Sequence, residues 1–343
     1  MPSNHVTQRM VLVSVVMVGV CLQVWAQSDL FISEYLETSS DKCIELFNPT
    51  DETITLNGRY KLLISSNGNT WSTKRNLVGS IPPKNAFVIC NSGSTFPYNL
   101  GMGATGHNGD DALALEKDGS FIDVFGNGEC TSPTVWISGS HSTQDKSLVR
   151  KPCISEGVTV DPGGDCPFPT LTSEWLAYPP STTRLGSHDY LYSLEDPVII
   201  PVSDCNVNDA SITVAGDGYG LEYSINGGQS WQQSPLFGQL AAGNYEILVR
   251  TPIDVTCQLS ATAAIVSLLP PTVDNLRLEN PADCRELSGS LEIITNDGQV
   301  EYSLDHGNSY STNPVFTDLQ AGSYEVTLRR IGTMQCLTTV DFM

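Results

Sequence analysis

The sequence predicts an all-β protein assembled from tandem β-sandwich modules, and three observations carry that prediction. Helical periodicity is nearly absent along the 343 residues. Short runs rich in β-branched and aromatic residues instead recur between clusters of Gly, Asn, Asp and Pro, the pattern of antiparallel sandwiches. Near the C-terminal end the chain also matches itself. Cys205 and Cys257 lie 52 positions apart, as do Cys284 and Cys336, and a shift of 79 superimposes the intervening stretch without a gap. Glu222-Tyr223-Ser224 falls on Glu301-Tyr302-Ser303, Trp231 on Tyr310, Phe237 on Phe316 and Tyr245 on Tyr324. Such a match marks two copies of one small module.

In chain order, residues 1–26 read as a secretory signal. Arg9 precedes the apolar run Met10–Trp25, and Val24-Trp25-Ala26 offers a cleavage site after Ala26. Gln23 interrupts the run, which falls short of the ~20 residues that span a bilayer. No other segment is long and apolar enough to span one. Roughly 317 residues remain, which suits about three modules.

The first module, residues 27–192, has candidate strands at Leu30–Tyr35, Cys43–Phe47, Tyr60–Ile64, Phe87–Cys90, Ala112–Leu115, Phe121–Phe125 and Ser147–Arg150. Asn57-Gly58, Asn67-Gly68, Asn108-Gly109, Asp118-Gly119 and Asn127-Gly128 supply turns between them. Asp118-Gly119 is the strongest hairpin signal, because alternating strands flank a two-residue loop. Residues 130–173 read as a loop excursion rich in Pro, with Gly163-Gly164 at its centre.

Pro197–Pro201 and Pro270-Pro271 read as stiff linkers into repeat 1, residues 197–269, and repeat 2, residues 272–343. In each repeat a Glu-Tyr-Ser strand leads into a tight turn, Asn226-Gly227-Gly228 or Asp305-His306-Gly307. Tyr245 and Tyr324, just after a Gly, sit where corner tyrosines clip Greek-key sandwiches.

Export permits disulfides. Removing the signal leaves nine of ten cysteines. The repeat spacing suggests that Cys205 pairs with Cys257 and Cys284 with Cys336, tying each repeat's first strand to its last. Upstream, Cys43 is expected to pair with Cys90 and Cys153 with Cys166, which leaves Cys130 over. The formal net charge is −21. A surface so acidic repels phosphate backbones, so nucleic acid is a poor partner, while solubility, basic partners and divalent cations are compatible with it.

No strong catalytic or cofactor motif is present: there is no Gly-x-Ser-x-Gly elbow, phosphate-cradling Gly-rich loop, His-Glu-x-x-His or Cys-x-x-Cys. The most chemical stretch is His107-Asn108-Gly109-Asp110-Asp111. Its letters make an Asn-Gly turn, and the same carboxylates offer oxygen ligands for Ca²⁺, joined by Glu34, Glu45 or Asp123. Trp71, Trp136 and Trp231 are the aromatics that could stack on sugars, and Trp231 reads first as packing.

Residues 27–192 resemble the lamin tail domain through Leu30-Phe31-Ile32-Ser33-Glu34-Tyr35, Ile44-Glu45-Leu46-Phe47-Asn48 and Asn108–Leu115. The resemblance continues through Phe121–Gly126, Ser147–Lys151, Glu174-Trp175 and Leu185–His188. The repeats resemble the roughly 80-residue Ig-like repeats of bacterial surface adhesins, including those of gliding bacteria. The resemblances imply an Ig-like β-sandwich followed by two smaller Ig-like sandwich repeats. They imply a secreted or cell-surface protein that recognises or adheres to an unidentified protein or glycan without catalysis. The competing expectation is an accessory or targeting subunit for a secreted hydrolase. A hydrolase using the Asp110 and Asp111 carboxylates, with or without metal, is the remote one.

Overall fold

The computed structural model describes residues 29–103, 106–130, 135–280 and 289–342. The signal expected at 1–26, and Cys284, lie outside the described residues. The protein is all-β: among the described residues the regular elements are strands and two short 3₁₀ turns. No helix there is long and apolar enough to cross a membrane.

The first module is a β-sandwich of a six-stranded and a four-stranded sheet. The larger sheet runs Trp175–Tyr178, Lys146–Arg150, Phe31–Glu37, Lys42–Asn48, Asn85–Cys90, Leu100–Gly101 in spatial order. The smaller runs Ser120–Phe125, Ala112–Lys117, Tyr60–Ser65, Ser72–Asn76. Alternation explains the burial. Ile44 and Leu46 face the core with Leu62, Ile64, Leu113 and Leu115, while Cys43, Glu45 and Phe47 face the other way. Strand Phe31–Glu37 breaks the alternation. Its pairing with Lys42–Asn48 shifts between Ile32 and Glu34, so Ser33 is an extra, bulged residue. Tyr35 therefore joins Ile32 in the core, and Glu34 points outward beside its cross-strand partner Glu45. Asp118 and Gly119 both adopt positive φ (50° and 89°), the geometry of a tight hairpin, between Ala112–Lys117 and Ser120–Phe125.

Each repeat is a smaller sandwich of two three-stranded sheets. Repeat 1 pairs Val198–Ile200, Ala210–Thr213, Leu236–Leu240 in one sheet and Glu222–Ser224, Gly243–Thr251, Asp254–Ile265 in the other. Repeat 2 has the same order with Asn275–Glu279, Gly289–Ile294, Val315–Leu319 and Val300–Ser303, Tyr324–Arg330, Leu337–Phe342. The likeness reaches single residues. Tyr245 donates its hydroxyl to the Ala241 carbonyl (2.8 Å), and Tyr324 donates to the Gln320 carbonyl (2.9 Å), each clipping the corner four residues upstream. Gln239 and Asp318, equivalent under the 79-residue shift, take φ of 58° and 60° in edge strands that carry bulges, which discourages edge-to-edge pairing.

The disulfides differ from the expected set. Cys43 pairs with Cys90, but Cys130 pairs with Cys166, Cys153 with Cys257 and Cys205 with Cys336. The expected Cys153–Cys166 and Cys205–Cys257 pairs are thus overturned, as is Cys284–Cys336, because Cys336 is taken by Cys205. The reason is geometric. Each repeat carries its later cysteine on or beside the turn between its last two long strands, and that turn abuts the preceding module, not the opening loop of its own.

Candidate functional site

The stretch His107–Asp111 is built into the sandwich. The buried His107 donates from Nε2 to the Leu36 carbonyl (3.0 Å), its ring lies 4.5 Å from that of Tyr35, and burial pushes its pKa down to about 3. Tyr35 donates its hydroxyl to the Thr143 carbonyl (3.0 Å), and Thr143 in turn donates its hydroxyl to the Gly109 carbonyl. Gly109 is required there: a Cβ would lie 2.8 Å from Val135 Cγ1 and 2.9 Å from Gln144 Cβ. Asp111 is buried and closes the turn, accepting from the Asn108 amide (2.9 Å) and the Asn67 amide (3.2 Å), with burial raising its pKa.

The carboxylates considered for Ca²⁺ do not converge. Asp123 bridges the two sheets: one oxygen accepts from the Ile32 amide at the bulge (2.7 Å) and pairs with Arg150, and the other accepts from the Val158 amide (2.8 Å). Arg150 is fully buried, also pairs with Glu174 (2.6 Å) and lies over the Trp175 ring (5.0 Å). Glu34 sits on the opposite face of the larger sheet, and Asp110 beside the turn. Among the described residues, the single grouping of three prospective ligands is Asp204, Cys205 and Cys336. Its two sulfurs are bonded to each other, and the Asp204 carboxylate accepts from the amides of Met334 (2.5 Å), Gln335 (2.8 Å) and Cys336 (2.9 Å). That cluster is a structural joint.

The outer face of the six-stranded sheet is covered by a strap, residues 183–192. Glu34 accepts from Ser147 Oγ (2.6 Å), Thr183 Oγ1 (2.6 Å) and the Arg184 amide (3.0 Å). Glu45 accepts from Ser33 Oγ (2.6 Å) and the Gly186 amide (2.6 Å). Burial raises the pKa of both and pushes Glu45 up to about 8. Leu185 packs on Leu36, Val88 and the Cys43–Cys90 bridge. His188 wedges against Phe31 and Phe47 (ring centroids 5.7 and 4.9 Å) with neither ring nitrogen hydrogen-bonded within the protein, and burial pushes it down to about 3.

The strap runs into the joint with repeat 1. Tyr190 and Leu191 pair with Tyr219 and Gly218, and Leu191 enters the repeat-1 core. Lys84, on a turn of the first module, reaches Asp217 of repeat 1 (2.7 Å) and lies 5.4 Å from the Tyr190 and Tyr192 rings. Cys153–Cys257 closes this joint covalently, and Cys205–Cys336 closes the next. At the second joint Arg330 also donates to the Leu269 carbonyl (2.8 Å).

An exposed surface suited to contact lies on the excursion of the first module. Cys130–Cys166 staples it, and Asp161 fixes it to the smaller sheet by accepting from Trp71 Nε1 (3.0 Å) and the Gly128 amide (3.1 Å). Ile137 and Val160 on this excursion are 68% and 70% exposed, apolar side chains offered to solvent by a stapled segment. The tryptophans are not free sugar platforms. Trp136 is buried and donates to the Cys166 carbonyl (3.1 Å), and Trp71 is half-buried. Trp231 lies under the Arg250 guanidinium (3.8 Å), as Tyr310 lies under Arg329 (3.6 Å). Sequence reasoning carried Arg150 and Leu185–His188 only as parts of the lamin-tail resemblance, with no role, and passed over Lys84 and Asp204; the signal for Asp204 was Asp-Cys repeated at 204–205 and 283–284.

Residues 23–129 match the family model of the Lamin Tail Domain, an Ig-like β-sandwich. The six-stranded sheet extends past that range through Lys146–Arg150 and Trp175–Tyr178. A structure of the surface layer protein SbsC, domains 4–9, aligns over 89% of this chain and 47% of that chain at 14% identity, with a TM-score of 0.16. A likeness of that size bears on neither fold nor role. No curated protein matches.

Proposed function

We propose that this protein is a non-catalytic recognition or adhesion protein of the cell surface or extracellular medium. Its lamin-tail module presents the stapled excursion, and its two Ig-like repeats hold that module on a stiff stalk. The observation that carries this reading is that both inter-module joints are closed by a disulfide as well as by buried contacts. Four disulfides among the described residues also suit an oxidising compartment. The buried polar groups Arg150, Asp123, His107 and Asp111 are committed to holding strands and turns. They are placed to rigidify a scaffold.

Protein and glycan arrays probed with the chain from residue 27 onward test this. A ligand should be retained by the wild type and weakened at least about tenfold by the double substitution Ile137→Asp, Val160→Asp, as for removal of apolar anchors at an interface centre. Binding undisturbed by that pair would move the recognition surface elsewhere. Capture of a secreted hydrolase as the ligand would favour the accessory-subunit reading.

A further inference from the structure

We propose that residues 183–192 form a proton-dependent latch: the Glu34–Glu45 pair beneath the strap holds it closed when it carries a proton, and loss of that proton releases the strap and loosens the joint to repeat 1. The geometry comes first. The two carboxylates are direct cross-strand partners, both essentially excluded from solvent. Among the described residues, no lysine or arginine side chain hydrogen-bonds to either. The guanidinium of Arg184, the nearest cation of the strap, turns to Asp189 instead (2.6 Å), although its charge still favours ionised Glu34. A second negative charge on this pair would be buried against the first, which a low-dielectric site opposes strongly. That opposition favours a closed state in which one carboxyl carries a proton. The strap contributes backbone amides, from Arg184 and Gly186, whose bonds to these carboxyls are its main polar attachment to the sheet.

The other groups facing the strap set the direction of the response. Arg150 lies under Phe31, and His188, Arg184 and Asp189 belong to the strap itself. Tyr178 and Asp254 lie near Arg184 and Asp189, and Lys84, Asp217, Tyr190 and Tyr192 gather at its far end. Glu45 is raised by burial from the ordinary carboxylate range to about 8. Closure thus takes up a proton, so this contribution is complete below the ordinary carboxylate range and is lost as pH rises through about 8. His188 acts with the opposite sign. Burial depresses it to about 3, so its contribution is complete above the ordinary histidine range and is lost as pH falls toward 3. The two opposing slopes leave the strap tightest in mildly acidic solution, with an alkaline release governed by the carboxyl pair.

Release has a structural consequence beyond the strap. His188 leaves the cleft between Phe31 and Phe47, and Tyr190 and Leu191, which pair with repeat 1, follow immediately in sequence. Cys153–Cys257 keeps the modules attached while the noncovalent part of the joint opens. The latch therefore changes the stiffness of the joint without separating its parts.

Hydrogen exchange on the intact, oxidised chain tests this, with rates corrected for intrinsic base catalysis and compared at pH 6 and pH 9. Protection of residues 183–192 should fall at least about tenfold more than that of the control strand Ala112–Lys117. Glu45→Gln, which cannot ionise and can keep its oxygen for the Gly186 amide while its amide nitrogen donates to Ser33 Oγ, should abolish the difference. An equal pH response in Glu45→Gln, or none in the wild type, overturns the proposal. Should Glu45→Gln fail to fold, carboxyl-carbon NMR of the wild type decides it: a glutamate titrating above pH 7 supports the latch, and its absence overturns it.

Discussion

Asp123→Ala is expected to destabilise the first module by about 3–5 kcal/mol, the range for breaking a buried ion pair from one side. Three bonds are lost together. Arg150 loses one of its two carboxylate partners in a fully buried position, the Ile32 amide at the bulge loses its acceptor, and the Val158 amide loses the tie that holds the excursion. Chemical denaturation monitored by the near-ultraviolet signal of Trp175 and its neighbours reads the loss. Arg150→Met with Asp123→Leu should cost less than Asp123→Ala alone, because it removes the buried cation together with its buried partner and leaves only the partly exposed Glu174 without its cation, while the Ile32 and Val158 amides lose their acceptor in both variants. Equal losses in the two variants would show that the pair acts by packing and not by charge.

Replacing both Cys205 and Cys336 by Ser is expected to lower the stability of the repeat pair by about 5 kcal/mol on the chain-entropy estimate for so long a loop. The link spans 131 residues, and so constrains the unfolded chain by about 0.8 kcal/mol more than a bridge across the 52 positions within one repeat would. Repeat 2 depends on it more than repeat 1 does. Among the described residues, its buried core is six side chains, from Leu291 to Leu328, against eleven in repeat 1, two of which come from the segment before it. Denaturation should change from one transition for the two repeats to two, with repeat 2 melting first. Asp204 would still cap the amides of Met334, Gln335 and Cys336, so the joint weakens without vanishing. A single unshifted transition would count against a mechanical role for this bridge.

Much of the architecture was legible in the residues because local patterns dictate it. Alternation at Ile44 and Leu46 marks a strand buried on one face, Asp118-Gly119 marks a hairpin, and Tyr245 and Tyr324 mark corners. What was hidden depends on non-local register. A strict period of two places Glu34 on the same face as Ile32, and the bulge at Ser33 reverses that, creating a buried carboxyl pair that no spacing announces. The cysteines mislead for a related reason. Equal intervals within repeats suggest closed loops, yet pairing follows which turns abut in space, and here each later cysteine reaches back one module. Asp123 and Asp111 read equally well as cation ligands, because a carboxylate serving a buried amide and one serving Ca²⁺ have the same letter.

The stiff-stalk account rests on bridges between modules, and peptide mapping of the native, unreduced protein by mass spectrometry tests it most directly. The account predicts linked peptides containing Cys153 with Cys257 and Cys205 with Cys336. Recovery of Cys205 linked to Cys257 and Cys284 linked to Cys336 would contradict it, leaving separately closed repeats joined by nothing covalent but the main chain.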